Sequence, residues 1–360
     1  MSEIRESLAK AVAKINKVGG LGFISKASDK FTALDRVPTG IFKLDLAMGG
    51  GFPVGRASCM FGPESVGKTN LYLKTIALYQ QRNPGMRVAF IDIEGCFDVE
   101  WAAKFGVNVE DLYLVRPTTA EEVVDFVHMA MSTSDCGLLV LDSIGALIGE
   151  KELANDASRE QVGGNSRIMA KFCTKVIAGF IAAEKEGRVP TTVLLVNQTR
   201  TKIGVMFGNP EGMPGGQAFK HLLALTIRVG GGKNIIEKAV NPTMPVAKEM
   251  RFSFKKWKCK IFSTAAEAHM ITIAHKGFGV GETANWKTAL KLMREVGWVV
   301  QDKTWQVVHP ETGEVYECKT LDEVKSTSIE KIGNGDEQAV YDILIRHLMA
   351  DPDIELPESG

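Results

Sequence analysis

The stretch Ala57-Ser58-Cys59-Met60-Phe61-Gly62-Pro63-Glu64-Ser65-Val66-Gly67-Lys68-Thr69 decides the fold. Ala57–Phe61 is a short apolar run of the kind that forms a buried strand. Gly62, Pro63, Glu64, Ser65, Val66, Gly67, Lys68 and Thr69 then satisfy the GxxxxGK[ST] spacing in full. The pattern after Gly67 predicts a helix over 68–82. A strand, a glycine-bounded turn and a helix in that order make a phosphate cradle, because the backbone N–H groups and the helix N-terminus converge on one anion. Lys68 supplies positive charge for the β- and γ-phosphates, and the Thr69 hydroxyl is a ligand for Mg²⁺. A chance glycine-rich turn is the ordinary alternative, and the strand and helix flanks argue against it.

Outward from this loop the chain alternates between strand and helix. Val88–Ile93, Leu138–Leu141 and Val193–Val196 read as further buried strands, with helices predicted near 119–134 and 166–186. Continuous apolar strands separated by helices predict an α/β fold with a mostly parallel sheet flanked by helices. Ligands of such sheets lie at the carboxyl ends of the strands. Leu138–Leu141 ends in Asp142, which suits a metal-supporting carboxylate. The 90–94 strand end offers Asp92 and Glu94 on one face by alternation. Glu94, with the longer side chain at the tip, is the choice for a base that takes a proton from an attacking water, and Asp92 suits a structural hydrogen bond beneath it. The fourth strand ends in Asn197-Gln198. A neutral Gln cannot be a base, but it can hydrogen-bond a terminal phosphate and move when that phosphate leaves. Capping the loop backbone is its plainer reading.

Residues 149–165 and 199–217 are polar or Gly-rich and read as long loops, which in compact domains are functional or disordered. Residues 230–250 resemble a hairpin excursion. In the second loop Arg200 and Lys202 can pair with phosphates, while Ile203, Met206 and Phe207 are apolar side chains suited to wedging between bases. Gly215 and Gly216 allow close backbone approach. Beyond 280 a small mixed unit is predicted, with helix 285–297, strand Trp298–Val308 and helix 336–349, then a short acidic tail. Residues 2–17 read as an amphipathic helix (Ile4, Leu8, Val12, Ile15), folded on its own core or docked on a neighbouring subunit.

The 360 residues carry 43 Lys+Arg against 43 Asp+Glu, so a globally basic coat is excluded and any polyanion site must be a local patch. The N-terminus has no signal-peptide layout, and no apolar run is long enough to span a membrane. The 6 Cys are dispersed with no zinc spacing, which predicts reduced thiols in a cytoplasmic protein.

Five strings, GPESVGKTN (62–70), FIDIEGCFD (90–98), LVLDSIGAL (139–147), NQTRTKIGVMFGNPE (197–211) and GGQAFK (215–220), resemble the bacterial RecA recombinase family of DNA strand-exchange ATPases. The run 202–211 is the most specific, since ATP hydrolysis alone does not need it. The resemblance covers about 37–280. It implies a RecA-type ATPase core at 37–279, which leaves the amphipathic segment as an N-terminal oligomerisation arm at 1–36 and the mixed unit as a small α+β domain at 280–360. ATP and Mg²⁺ are the implied ligands, single-stranded and double-stranded DNA the partners, and a homo-oligomeric helical filament the assembly, with no membrane. It gives Glu94 the role of activating water and Gln198 that of sensing the γ-phosphate. Asp98 and Trp101 fall where the family contacts adenine. Lys258 and Lys260 match a pair that reaches the ATP of the adjacent subunit. Strand alternation would put 256, 258 and 260 on one face, which is also how an ordinary solvated face looks. The loops near 155–165 and at 199–217 correspond to the family's two DNA-binding loops, with Arg167 a candidate beside the first. A hexameric helicase-type motor and a non-catalytic recombination mediator are the rival readings.

Overall fold

A computed structural model describes residues 35–147, 164–201, 211–236, 244–259, 261, 263–271, 280, 283 and 285–350. The helix predicted over 2–17, the cores of both long loops and the acidic tail lie outside these residues.

In chain order the elements begin with β1 (Arg36–Val37), α1 (Phe42–Met48), β2 (Phe52–Pro53), β3 (Ala57–Gly62), α2 (Lys68–Arg82), β4 (Arg87–Asp92), α3 (Val99–Lys104) and β5 (Leu112–Val115). They continue with α4 (Ala120–Ser132), β6 (Cys136–Asp142), α5 (Gly164–Lys185), β7 (Thr192–Gln198), β8 (Arg200–Thr201), β9 (Glu211–Gly212), α6 (Gly216–Leu222), β10 (Leu225–Ile235), β11 (Ala247–Trp257) and β12 (Ala265–Ile271). The last are α7 (Asn285–Glu295), β13 (Val299–Gln301), β14 (Trp305–Val308), β15 (Val315–Cys318), α8 (Leu321–Lys331) and α9 (Glu337–Ala350).

The central sheet has the order β12-β11-β10-β3-β7-β6-β4-β5. The six strands from β10 to β5 run parallel, and β11 and β12 add an antiparallel edge. The fold is therefore the predicted α/β type. Its central strands bury both faces. Leu138, Val140, Leu194 and Val196 join α2 in one core, while Leu139, Leu141, Val193 and Leu195 join α4 and α5 in the other. Alternate residues on opposite faces turn a two-sided strand into an unbroken apolar run.

A third core packs α7, α8 and α9 around the small antiparallel sheet β13-β14-β15, and Phe42 and Leu46 of α1 enter it. The single strand predicted at Trp298–Val308 is a hairpin, since Asp302-Lys303-Thr304 turns the chain between β13 and β14. Strand β15 and helix α8 have no counterpart in the predicted elements. Among the described residues no helix is long and apolar enough to cross a membrane.

Candidate functional site

The parallel topology brings the C-terminal ends of β3, β4, β6 and β7 to one edge, and a cleft of about 520 Å³ opens there. Residues 64–69 of the phosphate loop line it. Gly62 ends β3 against the backbone of β10, where a Cβ would sit 2.1 Å from the Val229 carbonyl oxygen, so no larger residue fits. Gly67 caps α2 with φ +95, a left-handed conformation that glycine adopts without cost. Lys68 is buried, and its Nζ donates to the carbonyls of Gly62 at 3.0 Å and Pro63 at 2.6 Å. Burial lowers the pKa of this ammonium, while Asp142, Glu94 and Glu64 pull the other way.

The Thr69 hydroxyl donates to Asp142 Oδ2 at 2.6 Å, joining the start of α2 to the end of β6. Burial pushes the Asp142 carboxyl up to about 6, with Thr69 opposing. A hydroxyl and a carboxylate side by side are hard oxygen donors, which fits Mg²⁺ sharing its shell with phosphates and water. Among the described residues no cluster of three His, Cys, Asp or Glu could hold a metal unaided. Beside them Ser143 Oγ is buried, lines the cleft and has no hydrogen-bond partner among the described residues. A buried hydroxyl left in that state fits a polar ligand.

At the other strand tips, Glu94 is exposed and its Oε1 accepts from Gln198 Nε2 at 3.1 Å. Asp92 is buried and spent on structure: it accepts the N–H groups of Cys96 at 3.1 Å and Phe97 at 3.0 Å and pairs with Arg116 at 3.4 Å. Strand β4 ends at Asp92, so Glu94 stands on the turn beyond it and does not share a strand face with Asp92. Cys96 is an exposed free thiol on the cleft wall, unlike the buried Cys59, Cys173, Cys259 and Cys318.

Residues 6–277 match the family model of the RecA N-terminal domain. The chain belongs to the RecA family. It is 38% identical over 231 residues to Protein RecA of Bacillus subtilis (strain 168), covering 64% of each chain. It is 40% identical over 207 residues to Protein RecA of Mesoplasma florum, covering 57% of this chain and 60% of that one. Protein RecA of Herpetosiphon aurantiacus matches at 37% over 228 residues, covering 63% and 62%. The chain thus aligns with less than two thirds of the length of these RecA proteins.

Of the remaining residues drawn from the RecA resemblance, Asp98 and Trp101 line the same cleft. Asp98 caps α3 by accepting the Trp101 N–H at 2.9 Å, and Trp101 Nε1 donates to Asn70 Oδ1 at 3.0 Å, fixing the indole against α2. Lys258 stands away from the cleft. β11 ends at Trp257, and Lys256 and Lys258 turn to the last carbonyls of α6, bonding Lys220 O and His221 O. Lys256 and Lys258 thus turn to the same side although β11 ends between them, and Lys260 lies outside the described residues. Arg167 is exposed on α5, and Arg200 begins β8. Lys202, Ile203, Met206 and Phe207 lie outside the described residues. Gly215 and Gly216 have φ +120 and +73 and open α6, so their glycines meet a backbone requirement at the exit of the second loop. Asn70 and Ser143 also line the cleft, inside the 62–70 and 139–147 strings but with no role of their own assigned there, and so does Lys248, which lies outside every string.

Proposed function

We propose that this RecA-family chain is an ATP-dependent DNA recombinase that forms a filament on single-stranded DNA and catalyses homologous pairing and strand exchange with duplex DNA in the cytoplasm. The observation that carries this reading is the Gln198–Glu94 hydrogen bond. It ties the acid at the tip of β4 to the residue from which the 199–217 loop departs. A nucleotide site alone would need only the loop, Lys68, Thr69 and Asp142.

Bound ATP·Mg²⁺ would supply the phosphoanhydride that water cleaves and the cation that offsets its charge. The 62–67 backbone would cradle the phosphates, and Lys68 would leave its own loop carbonyls for them. Thr69 and Asp142 would hold the metal, Ser143 would donate into the polar ligand shell, and Glu94 would accept the proton of the attacking water. Gln198 would exchange its bond to Glu94 for one to the γ-phosphate, so that the start of the 199–217 loop follows the state of the site. Asp98 and Trp101 are assigned to the base. Lys258 and Lys260 would act on the site of an adjacent subunit. The loops, with Arg167, Arg200, Lys202, Ile203, Met206, Phe207, Gly215 and Gly216, would hold DNA. Residues 1–36 would be the assembly arm, 37–279 the ATPase core and 280–360 a small C-terminal domain.

The test is ATP hydrolysis with and without single-stranded DNA, beside negative-stain microscopy. DNA-stimulated hydrolysis and open filaments are expected. Closed rings would favour a hexameric motor, and hydrolysis indifferent to DNA would favour a mediator. Lys68→Ala should abolish ATP-dependent filament switching, and unchanged strand exchange in that variant would contradict the assignment.

A further inference from the structure

We propose that Lys248 is a positioning residue for the phosphate loop, holding the Ser65 carbonyl toward β11 so that the Val66 N–H points the opposite way, to the phosphates. This rests on the nucleotide reading above. Lys248 lies near the start of β11, 183 residues from Ser65 in the chain, and its Nζ donates to the Ser65 carbonyl oxygen. Both residues line the cleft. The loop is therefore held from two sides. Lys68 at the start of α2 takes the Gly62 and Pro63 carbonyls, and Lys248 on β11 takes that of Ser65.

Ser65 is where such a brace is needed. It has φ +56, a left-handed conformation that a serine adopts only against a steric cost. In a planar trans peptide the carbonyl and the following N–H point in opposite directions. Fixing the Ser65 C=O on Lys248 therefore fixes the direction of the Val66 N–H. The same strand braces the next residues. Met250 packs on Gly67, where an added Cβ would meet its sulfur at 3.2 Å, and the Val66 side chain is buried in the core that Met250 shares. Among the described residues no carboxylate pairs with Lys248. Its partners across the sheet are Asn234 on β10 and Met270 on β12, so no charge there competes for the ammonium.

The test measures binding of a fluorescent ATP analogue with Mg²⁺ to the full chain, for wild type, K248M, K248R and K68A, beside melting temperatures without nucleotide. K248M keeps most of the stem and loses the donor, and it should bind about tenfold more weakly, the scale of one hydrogen-bonded contact to a charged group. K248R restores a donor and should return to within about twofold of wild type. The melting temperature should hold in both, and K248M should keep the wild-type salt dependence because no phosphate contact is removed. Should K248M fail to fold, K248Q, whose shorter stem stops short of Ser65, should show the same loss. Wild-type affinity in K248M overturns the inference alone, as does an equal loss in K248R. A flattened salt dependence also overturns it, by making Lys248 a direct phosphate contact. Absence of binding by wild type, with K68A no different, overturns the nucleotide reading and this inference with it.

Discussion

Asp142 faces two demands of opposite sign. Burial raises its carboxyl to about 6, with Glu94 and Asp92 adding and the Thr69 hydrogen bond and Lys68 opposing. A group whose folded pKa lies above its unfolded value of 3.8 binds protons more tightly when folded, so without ligand the stability it contributes is present at low pH and is lost as pH rises from about 4 to about 6. Metal binding needs the carboxylate and runs the other way. Mg²⁺-dependent nucleotide affinity should hold at pH 7 and fall about tenfold by pH 5, one pH unit below the midpoint. Titrating affinity against pH checks this, and Asp142→Asn should bind more weakly at pH 7 with that pH dependence gone. A wild-type curve flat from 7 to 5 would remove Asp142 from the metal site. At the β4 tip the sequence reading makes Glu94 the base and Asp92 a structural hydrogen bond, and the fold supplies the partners on the Asp92 side. Both are carboxylates two positions apart; what the sequence leaves open is which groups Asp92 binds, and these are the Cys96 and Phe97 N–H groups and Arg116.

Strand β7 carries two amides in sequence with separate tasks. Asn197 is fully buried. Its Nδ2 donates to the Pro214 carbonyl at 3.0 Å and its Oδ1 accepts the Gln198 N–H at 2.9 Å, so one side chain clasps the exit of the second loop to its entry. Just beyond, Arg200 pairs with Gly212 and Thr201 with Glu211. Gln198→Ala should leave intrinsic ATP hydrolysis near wild type and abolish its stimulation by single-stranded DNA, because the bond to Glu94 goes while the loop stays closed. Asn197→Ala should also cost about 1 kcal/mol in denaturant unfolding, since it leaves the half-buried Pro214 carbonyl and the Gln198 N–H without their partner. Equal DNA stimulation in both variants and wild type would show that the loop root does not communicate with the site. At this scale the sequence was most readable where one rule governed. Helix α2 runs over 68–82 as predicted, because motif, glycine cap and apolar pattern agree. The two-sided strands β3, β6 and β7 announced themselves as apolar runs. β13, β14 and β15 are three or four residues long, too short for a period to register, and the hairpin passed for one strand. Asn70 and Ser143 fall inside recognisable strings and Lys248 outside any, yet none has a legible role in the sequence, because those roles arise when distant elements meet.

Over the whole molecule, α1 is the seam between the large sheet and the C-terminal α7–α9 unit. One face of it, Leu44, Ala47 and Met48, belongs to the core under α2, and the other, Phe42 and Leu46, belongs to the C-terminal core. Phe42 meets Tyr341 of α9 with ring centroids 4.9 Å apart. Polar bonds hold the same joint. The Phe42 N–H donates to Asn285 Oδ1 at 2.9 Å, Asn285 Nδ2 donates to the Gly40 carbonyl at 2.8 Å, and Arg82 pairs with Asp342. Beneath them the buried Asp45 accepts the Thr39 N–H at 2.8 Å, the Thr39 hydroxyl at 2.8 Å and the Gly40 N–H at 3.2 Å, which fixes the approach to α1. Cutting the apolar part of this seam should loosen the C-terminal unit before the sheet. Phe42→Ala is expected to cost about 3–5 kcal/mol, the range for deleting a buried aromatic. Tryptophan fluorescence reports mainly on the C-terminal unit, which holds Trp286, Trp298 and Trp305, whereas far-UV circular dichroism reports on the whole chain. In urea the fluorescence midpoint of Phe42→Ala should therefore fall further below its wild-type value than the dichroism midpoint does. If both midpoints shift together, the loss spreads through one cooperative unit and α1 is ordinary core; if neither shifts, the Phe42–Tyr341 contact carries no stability at all.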